Sequence, residues 1–157
     1  MNFEQPNYLD QWSRVLRWYN RLSKIYSGIP HGRDSYYNKD EIHAFFESCY
    51  HLKDWLKNDG KSYLFFTGLK KNVSESMQIC RDICNGDKHL VLDPKYKPFD
   101  KNTKFSRVDH HLIIGSPHII KEKYYVNVKG KDIDVKVIAD SCMSEWESFL
   151  RAKKLLK

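Results

Sequence analysis

The chain has 157 residues, 41% of them hydrophobic, with 10 Tyr, 8 Phe and 4 Trp; this is a prior for one domain and too much core material for a disordered chain. Lys plus Arg is 27 against 20 Asp plus Glu, a formal charge of +7, which suits a polyanionic partner without requiring one, because the basic residues are spread along the chain. No run reaches the ~18 apolar residues of a membrane span, and the opening MNFEQPNYLDQW lacks the basic-then-apolar order of a signal peptide, so a soluble cytoplasmic protein without membrane contact is expected.

Apolar residues spaced by threes and fours predict a helix over 8–26, with Trp12, Val15, Leu16, Tyr19, Leu22 and Tyr26 on its core stripe and Arg14, Arg17, Arg21 and Lys24 largely off it. Gly28, Pro30 and Gly32 mark 27–38 as a loop. A second helix over 39–58 buries Ile42, Phe45, Phe46, Cys49, Leu52 and Leu56 and carries Glu47, His51 and Asp54 on a neighbouring polar stripe. The run Asn58-Asp59-Gly60 tolerates left-handed backbone angles and stops it. Residues 62–70, SYLFFTGLK, are apolar but too short for periodicity to separate strand from helical turn. A third helix, 74–92, starts at Ser74 and buries Met77, Cys80, Ile83, Cys84, Leu90 and Val91. Pro94 and Pro98 break it.

The period then changes to two. His111 to Ile114 is a candidate strand, and Tyr124–Val128 and Ile133–Val137 flank Lys129-Gly130-Lys131-Asp132 as a hairpin, with Val126 and Val128 on one face and Asn127 on the other. Asp140 is the expected cap of a last helix over 141–155 that buries Met143, Trp146, Phe149 and Leu150. The expected architecture is mainly α: one domain, 1–157, a helical bundle with a small antiparallel insertion at about 108–138 before its C-terminal helix.

Cys49, Cys80, Cys84 and Cys142 all fall on or near apolar helix faces. Cys80 and Cys84, four apart, share one face, with His89 as a third donor, but no second pair completes a zinc set. The four therefore read as buried small apolar side chains, and no metal or cofactor is expected.

The third helix carries the candidate chemistry. A helical residue advances about 100° and 1.5 Å, so Arg81, Asn85 and His89 form one stripe with Lys88 beside it. A cation, an amide and an imidazole on one ridge suit phosphate chemistry; the plain alternative is a solvated face with His89 stabilised at a helix C-terminus. Gly86 inside this helix points either to a close approach by backbone or ligand, or to an early helix end. On the second helix, His51 and Asp54 are neighbours at three residues, a pairing that orients an imidazole for acid–base work and is also a common surface pair.

Three segments carry a resemblance: FFESCYHLKDW from Phe45 to Trp55, DICNGDKHL from Asp82 to Leu90, and DSCMSEWESFL from Asp140 to Leu150. They are similar to a group of bacterial proteins related to the HEPN superfamily, across about residues 40–150. The resemblance implies a HEPN-like helical bundle, a homodimer, and metal-independent endoribonuclease activity of the toxin–antitoxin or phage-defence type. RNA and an antitoxin protein are the implied partners. The family motif is an Arg followed after four to six residues by a His; here seven residues separate Arg81 from His89, and three separate Asn85 from His89. His89 takes the place of the motif histidine, and Arg81 or Lys88 supplies the cation. The alternatives are an inactive RNA- or nucleotide-binding module on the same ridge, and a dimeric interaction protein in which His51, Asp54, Asn85 and His89 form a sealed polar network. Tyr36 and Tyr37 are candidate stacking platforms for unpaired bases.

Overall fold

The computed structural model describes residues 6–30, 34–61, 74–88 and 97–156. In chain order these form α1 (Tyr8–Ser27), β1 (Ile29–Pro30), α2 (Ser35–Asn58), α3 (Glu75–Lys88), β2 (Lys104–Ile113), β3 (Ser116–Val128), β4 (Lys131–Asp134) and α4 (Val135–Ala152). The chain is mainly helical, with an antiparallel sheet placed before the last helix. The predicted stretches 62–70 and 89–92 lie outside the described residues, as do residues 93–96 of the proline break at 93–105.

The helix starts follow from their caps. The Asn7 side chain accepts from the Leu9 amide while Asp10 accepts from the Asn7 amide, a reciprocal box at the head of α1. Asp34 caps α2 by accepting from the Tyr36 amide at 2.8 Å, so this helix begins four residues before the expected 39 and takes in part of the predicted loop. Ser74 Oγ accepts from the Met77 amide at 3.2 Å ahead of α3. Asp59 and Gly60 end α2, with Gly60 at φ 65°.

The largest correction concerns α4. It begins at Val135, capped by Asp134, which accepts from the Lys136 amide at 2.8 Å. Asp140 lies inside the helix, bonded to Tyr19 Oη at 2.7 Å and paired with Lys136. The expected strand 133–137 is thus β4 for its first two residues and helix thereafter. An Asp whose side chain can take up the free amides of a first turn outweighs the alternation of Ile133, Val135 and Val137. Lys129 and Gly130, at φ 51° and 81°, form the two-residue turn between β3 and β4; positive φ at both central positions matches the right-handed twist of the flanking strands.

β3 is the centre of the sheet, with β2 on one edge and both β1 and β4 on the other. Its inward residues Tyr124, Val126 and Val128 are buried, whereas Asn127 is half-exposed, which is the alternation expected for this hairpin. They join a core of Trp12, Val15, Leu22, Phe45, Phe46, Leu52, Ile138 and Trp146. Leu16, expected on the core stripe of α1, is 40% exposed, and Ile25 takes the inward position. All six expected core residues of α2 are fully buried. α2 packs against α1 on one side and α3 on the other, and α3 against α4. Trp146 Nε1 donates to the Cys49 carbonyl at 3.0 Å, tying α4 to α2.

Among the described residues, the nearest atom to a Cβ built at Gly86 is the Thr103 carbonyl oxygen, at 4.0 Å. Gly86→Ala is expected to raise the unfolding free energy by about 0.5–1 kcal/mol, the ordinary helix-interior difference, read as an upward shift of the denaturation midpoint at unchanged slope.

Candidate functional site

The polar stripe of α2 and the described half of the α3 ridge face each other. His51 Nδ1 lies 3.0 Å from Asp54 Oδ2, and His51 Nε2 lies 3.7 Å from Cys84 Sγ. A carboxylate only accepts, so Nδ1 carries a proton, and in the neutral ring Nε2 accepts from the Cys84 thiol, a weak donor. The His51 side chain is 31% exposed and that of Asp54 is 51% exposed. Lys53 also pairs with Asp54 at 2.7 Å. Partial burial raises the Asp54 pKa, but the hydrogen bonds from Lys53 and His51 outweigh it, and the carboxyl sits below its ordinary value.

Tyr50 links this pair to α3. Its hydroxyl is raised above the ordinary tyrosine value, chiefly by burial, while the Arg81 charge and a hydrogen bond with Asn85 act in the opposite direction. Arg81 and Asn85 therefore do share one stripe beside the second helix, as their spacing predicts. The Arg81 guanidinium is also tied to the chain after α3: Nη2 donates to the Lys97 carbonyl at 3.3 Å, and Nε lies 3.6 Å from Asp82 Oδ1. Asp82 is buried and accepts from the Asp100 amide at 2.8 Å, so Arg81 belongs to a joint that anchors the chain after α3. The Lys88 side chain and all of His89 lie outside the described residues.

His51 also borders an open hollow of about 360 Å³ between α1 and α2. Arg14, Trp18, Glu47 and Trp55 line it with the imidazole. The Arg14 guanidinium lies 5.9 Å from the centre of the Trp55 ring, and its Nη1 donates to Gln11 Oε1 at 2.9 Å. Arg21 lies 5.0 Å over Trp18. This is an aromatic-walled recess in which Arg14 and Glu47 bring opposite charges, with an oriented imidazole on its edge. The sequence reading missed Arg14, Trp18 and Trp55. The available signal was spacing: Glu47, His51 and Trp55 lie four apart on α2, and Arg14 and Trp18 four apart on α1.

Cys84, His51 and Asp54 stand in the order of a nucleophile, base and orienting carboxylate. Cys84, however, is 4% exposed and does not line the hollow. A substrate in the hollow meets the ring rather than the thiol, which favours acid–base chemistry over covalent catalysis. Tyr36 and Tyr37 are 75% and 66% exposed. Tyr36 borders a different hollow, of about 390 Å³, with Lys39, Phe105 and Arg107.

All four cysteines are buried thiols. Cys80 does not act with Cys84, as their shared face suggests; it turns toward Cys49 and Cys142, and these three sulfurs are the one group among the described residues placed to hold a metal. Among the described residues, no helix is long and apolar enough to cross a membrane. Comparison with protein-family models, curated proteins and solved structures gave no match.

Proposed function

We propose that this protein is a cytoplasmic, metal-independent endoribonuclease of the HEPN type, acting as a homodimer in a toxin–antitoxin or phage-defence setting. The observation that supports it is the His51 imidazole, oriented by Asp54, partly open to solvent and on the edge of a recess lined by Arg14, Trp18 and Trp55, with Arg81 and Asn85 on the facing helix beside the neighbouring Tyr50. A sealed polar network would close these groups to water; Asp54 is half-exposed.

In this reading the RNA phosphate is drawn to Arg14 and unpaired bases stack on Trp18 and Trp55. His51 Nε2 takes a proton from the ribose 2′-hydroxyl, exchanging the weak Cys84 donor for the substrate. His89, the residue matching the family motif, gives a proton to the leaving 5′-oxygen, and Lys88 or Arg81 stabilises charge on the phosphate. The attacking group is the substrate's own hydroxyl, so the scheme asks for no metal-bound water.

A second reading, a HEPN-like module that binds RNA without cleaving it, is favoured by one feature: Arg81 is committed to Lys97 and Asp82. Incubation of end-labelled RNA with the protein in a chelator separates the two. Cleavage that falls in both His51→Ala and His89→Ala supports the enzyme. Binding that weakens with salt, with no cleavage, supports the module. Neither cleavage nor salt-sensitive binding overturns both.

A further inference from the structure

We infer that Cys49, Cys80 and Cys142 form a three-thiolate site for a soft metal ion of low coordination number, and that Cu(I) fits this donor set best. The three residues come from α2, α3 and α4, one from each, and each is 0% exposed. Their Sγ atoms all lie within 4.8 Å of one another, and each thiol is within hydrogen-bonding reach of the other two. An ion held in plane by three sulfurs at ~2.3 Å keeps them about 4 Å apart. Closing from 4.8 Å to that value asks each pair to approach by at most about 0.8 Å.

The donor set selects the ion. Structural zinc takes four ligands in a tetrahedron, and among the described residues the cluster offers three, all sulfur. Thiolates without harder donors select Cu(I) among the common first-row ions. Cys80 Sγ and Cys142 Sγ now donate to the carbonyls of Phe46 and Ser76, each at 3.5 Å. On coordination, the ligating thiols release their protons to solvent and these weak bonds are exchanged for metal–sulfur bonds.

Buried cysteines often serve only as small apolar side chains. Apolar packing asks for volume at each position; it does not ask that three sulfurs from three helices face one point. Cys84 provides the contrast, since its thiol meets the His51 imidazole instead. The bound ion would fasten α2, α3 and α4 together at the crossing that supports the His51 ridge. None of the proposed RNA-contacting residues takes part, so this inference and the ribonuclease reading fail independently.

Because the thiols are closed to solvent, the test refolds the full-length reduced chain anaerobically with Cu(I), in competition with a chromogenic Cu(I) chelator. The expected result is one Cu(I) per chain, a near-ultraviolet thiolate-to-copper band and a raised melting temperature. Cys49→Ser, Cys80→Ser and Cys142→Ser are each expected to weaken retention at least as much as the roughly 10–100-fold that follows loss of an outer-sphere partner, whereas Cys84→Ser keeps the stoichiometry of one. X-ray absorption on the wild-type complex covers the case in which a variant does not fold: three sulfur neighbours support the site, and any other first shell overturns it. Failure of the wild type to hold Cu(I) against the chelator, tighter retention of Zn(II) than Cu(I), or full retention in the three variants also overturns it.

Discussion

His51→Ala is expected to lower metal-independent RNA cleavage by roughly 10²–10⁴-fold, the usual contribution of a positioned proton-transfer group, with little change in melting temperature. The side chain is 31% exposed and pairs with an Asp54 that is itself half-exposed, and the buried partner its removal leaves, the Cys84 thiol, is only a weak donor. Cys84→Ala should behave differently: the thiol is only a weak donor to Nε2, and cleavage should stay close to that of the parent. Asp54→Asn tests orientation. It should lower kcat more than KM, because the amide loses the charge of the acceptor and can turn an N–H₂ donor toward Nδ1, weakening the hold on the Nδ1 proton without touching the recess. Single-turnover rates with a melting curve for each variant check all three. A His51→Ala protein that cleaves at the parental rate would remove this imidazole from the chemistry.

Glu122→Ala should be among the most destabilising single changes away from the apolar core. Glu122 is 2% exposed and accepts from Tyr124 Oη at 2.5 Å, Ser35 Oγ at 2.8 Å and Asn38 Nδ2 at 2.9 Å, with His110 Nε2 at 3.1 Å. These bonds fasten the head of α2 to β2 and β3. Removing the acceptor orphans several donors at ~1–3 kcal/mol for each one left buried without water. A total loss of about 3 kcal/mol would lower the melting temperature by roughly 6–12 °C in a chain of this size.

The same cluster gives a pH signature. Burial alone raises the Glu122 pKa, but the hydrogen bonds from Tyr124, Asn38 and Ser35 outweigh it and hold the folded carboxyl below its ordinary value. The unfolded chain therefore binds this proton more readily than the folded one. Its stabilisation is fully present above the unfolded value of ~4.3 and is lost as pH falls through the lower folded value. The melting-temperature gap between the parent and Glu122→Gln should narrow as pH drops below about 4. A gap that widened on acidification would contradict the assignment.

Helices were most legible where periodicity, caps and stop signals agreed. For α2, the inward set Ile42, Phe45, Phe46, Cys49, Leu52 and Leu56 is read directly from spacing and is fully buried. The start of α4 was misread because Ile133, Val135 and Val137 alternate as a strand does, while the deciding feature is the local bond from Asp134 to the Lys136 amide. Within the candidate site, the His51–Asp54 pair follows from sequence because residues three apart on a helix touch. Its juxtaposition with Cys84, and the recess shared with Arg14 and Trp18, arise from packing between helices distant in sequence, which spacing along one helix does not encode. The same limit hid the cysteine trio. Cys80 and Cys84 look like partners in sequence, yet Cys80 meets Cys49 and Cys142.

The most direct test compares one oligonucleotide sequence made as RNA and as DNA, each incubated with the full-length protein in excess chelator. Attack by a 2′-hydroxyl under imidazole control predicts that the RNA is cut to a 2′,3′-cyclic phosphate end, that the DNA stays intact, and that His51→Ala suppresses the cut. Equal cutting of both strands, a requirement for added divalent metal, or cleavage by His51→Ala at the parental rate would contradict it.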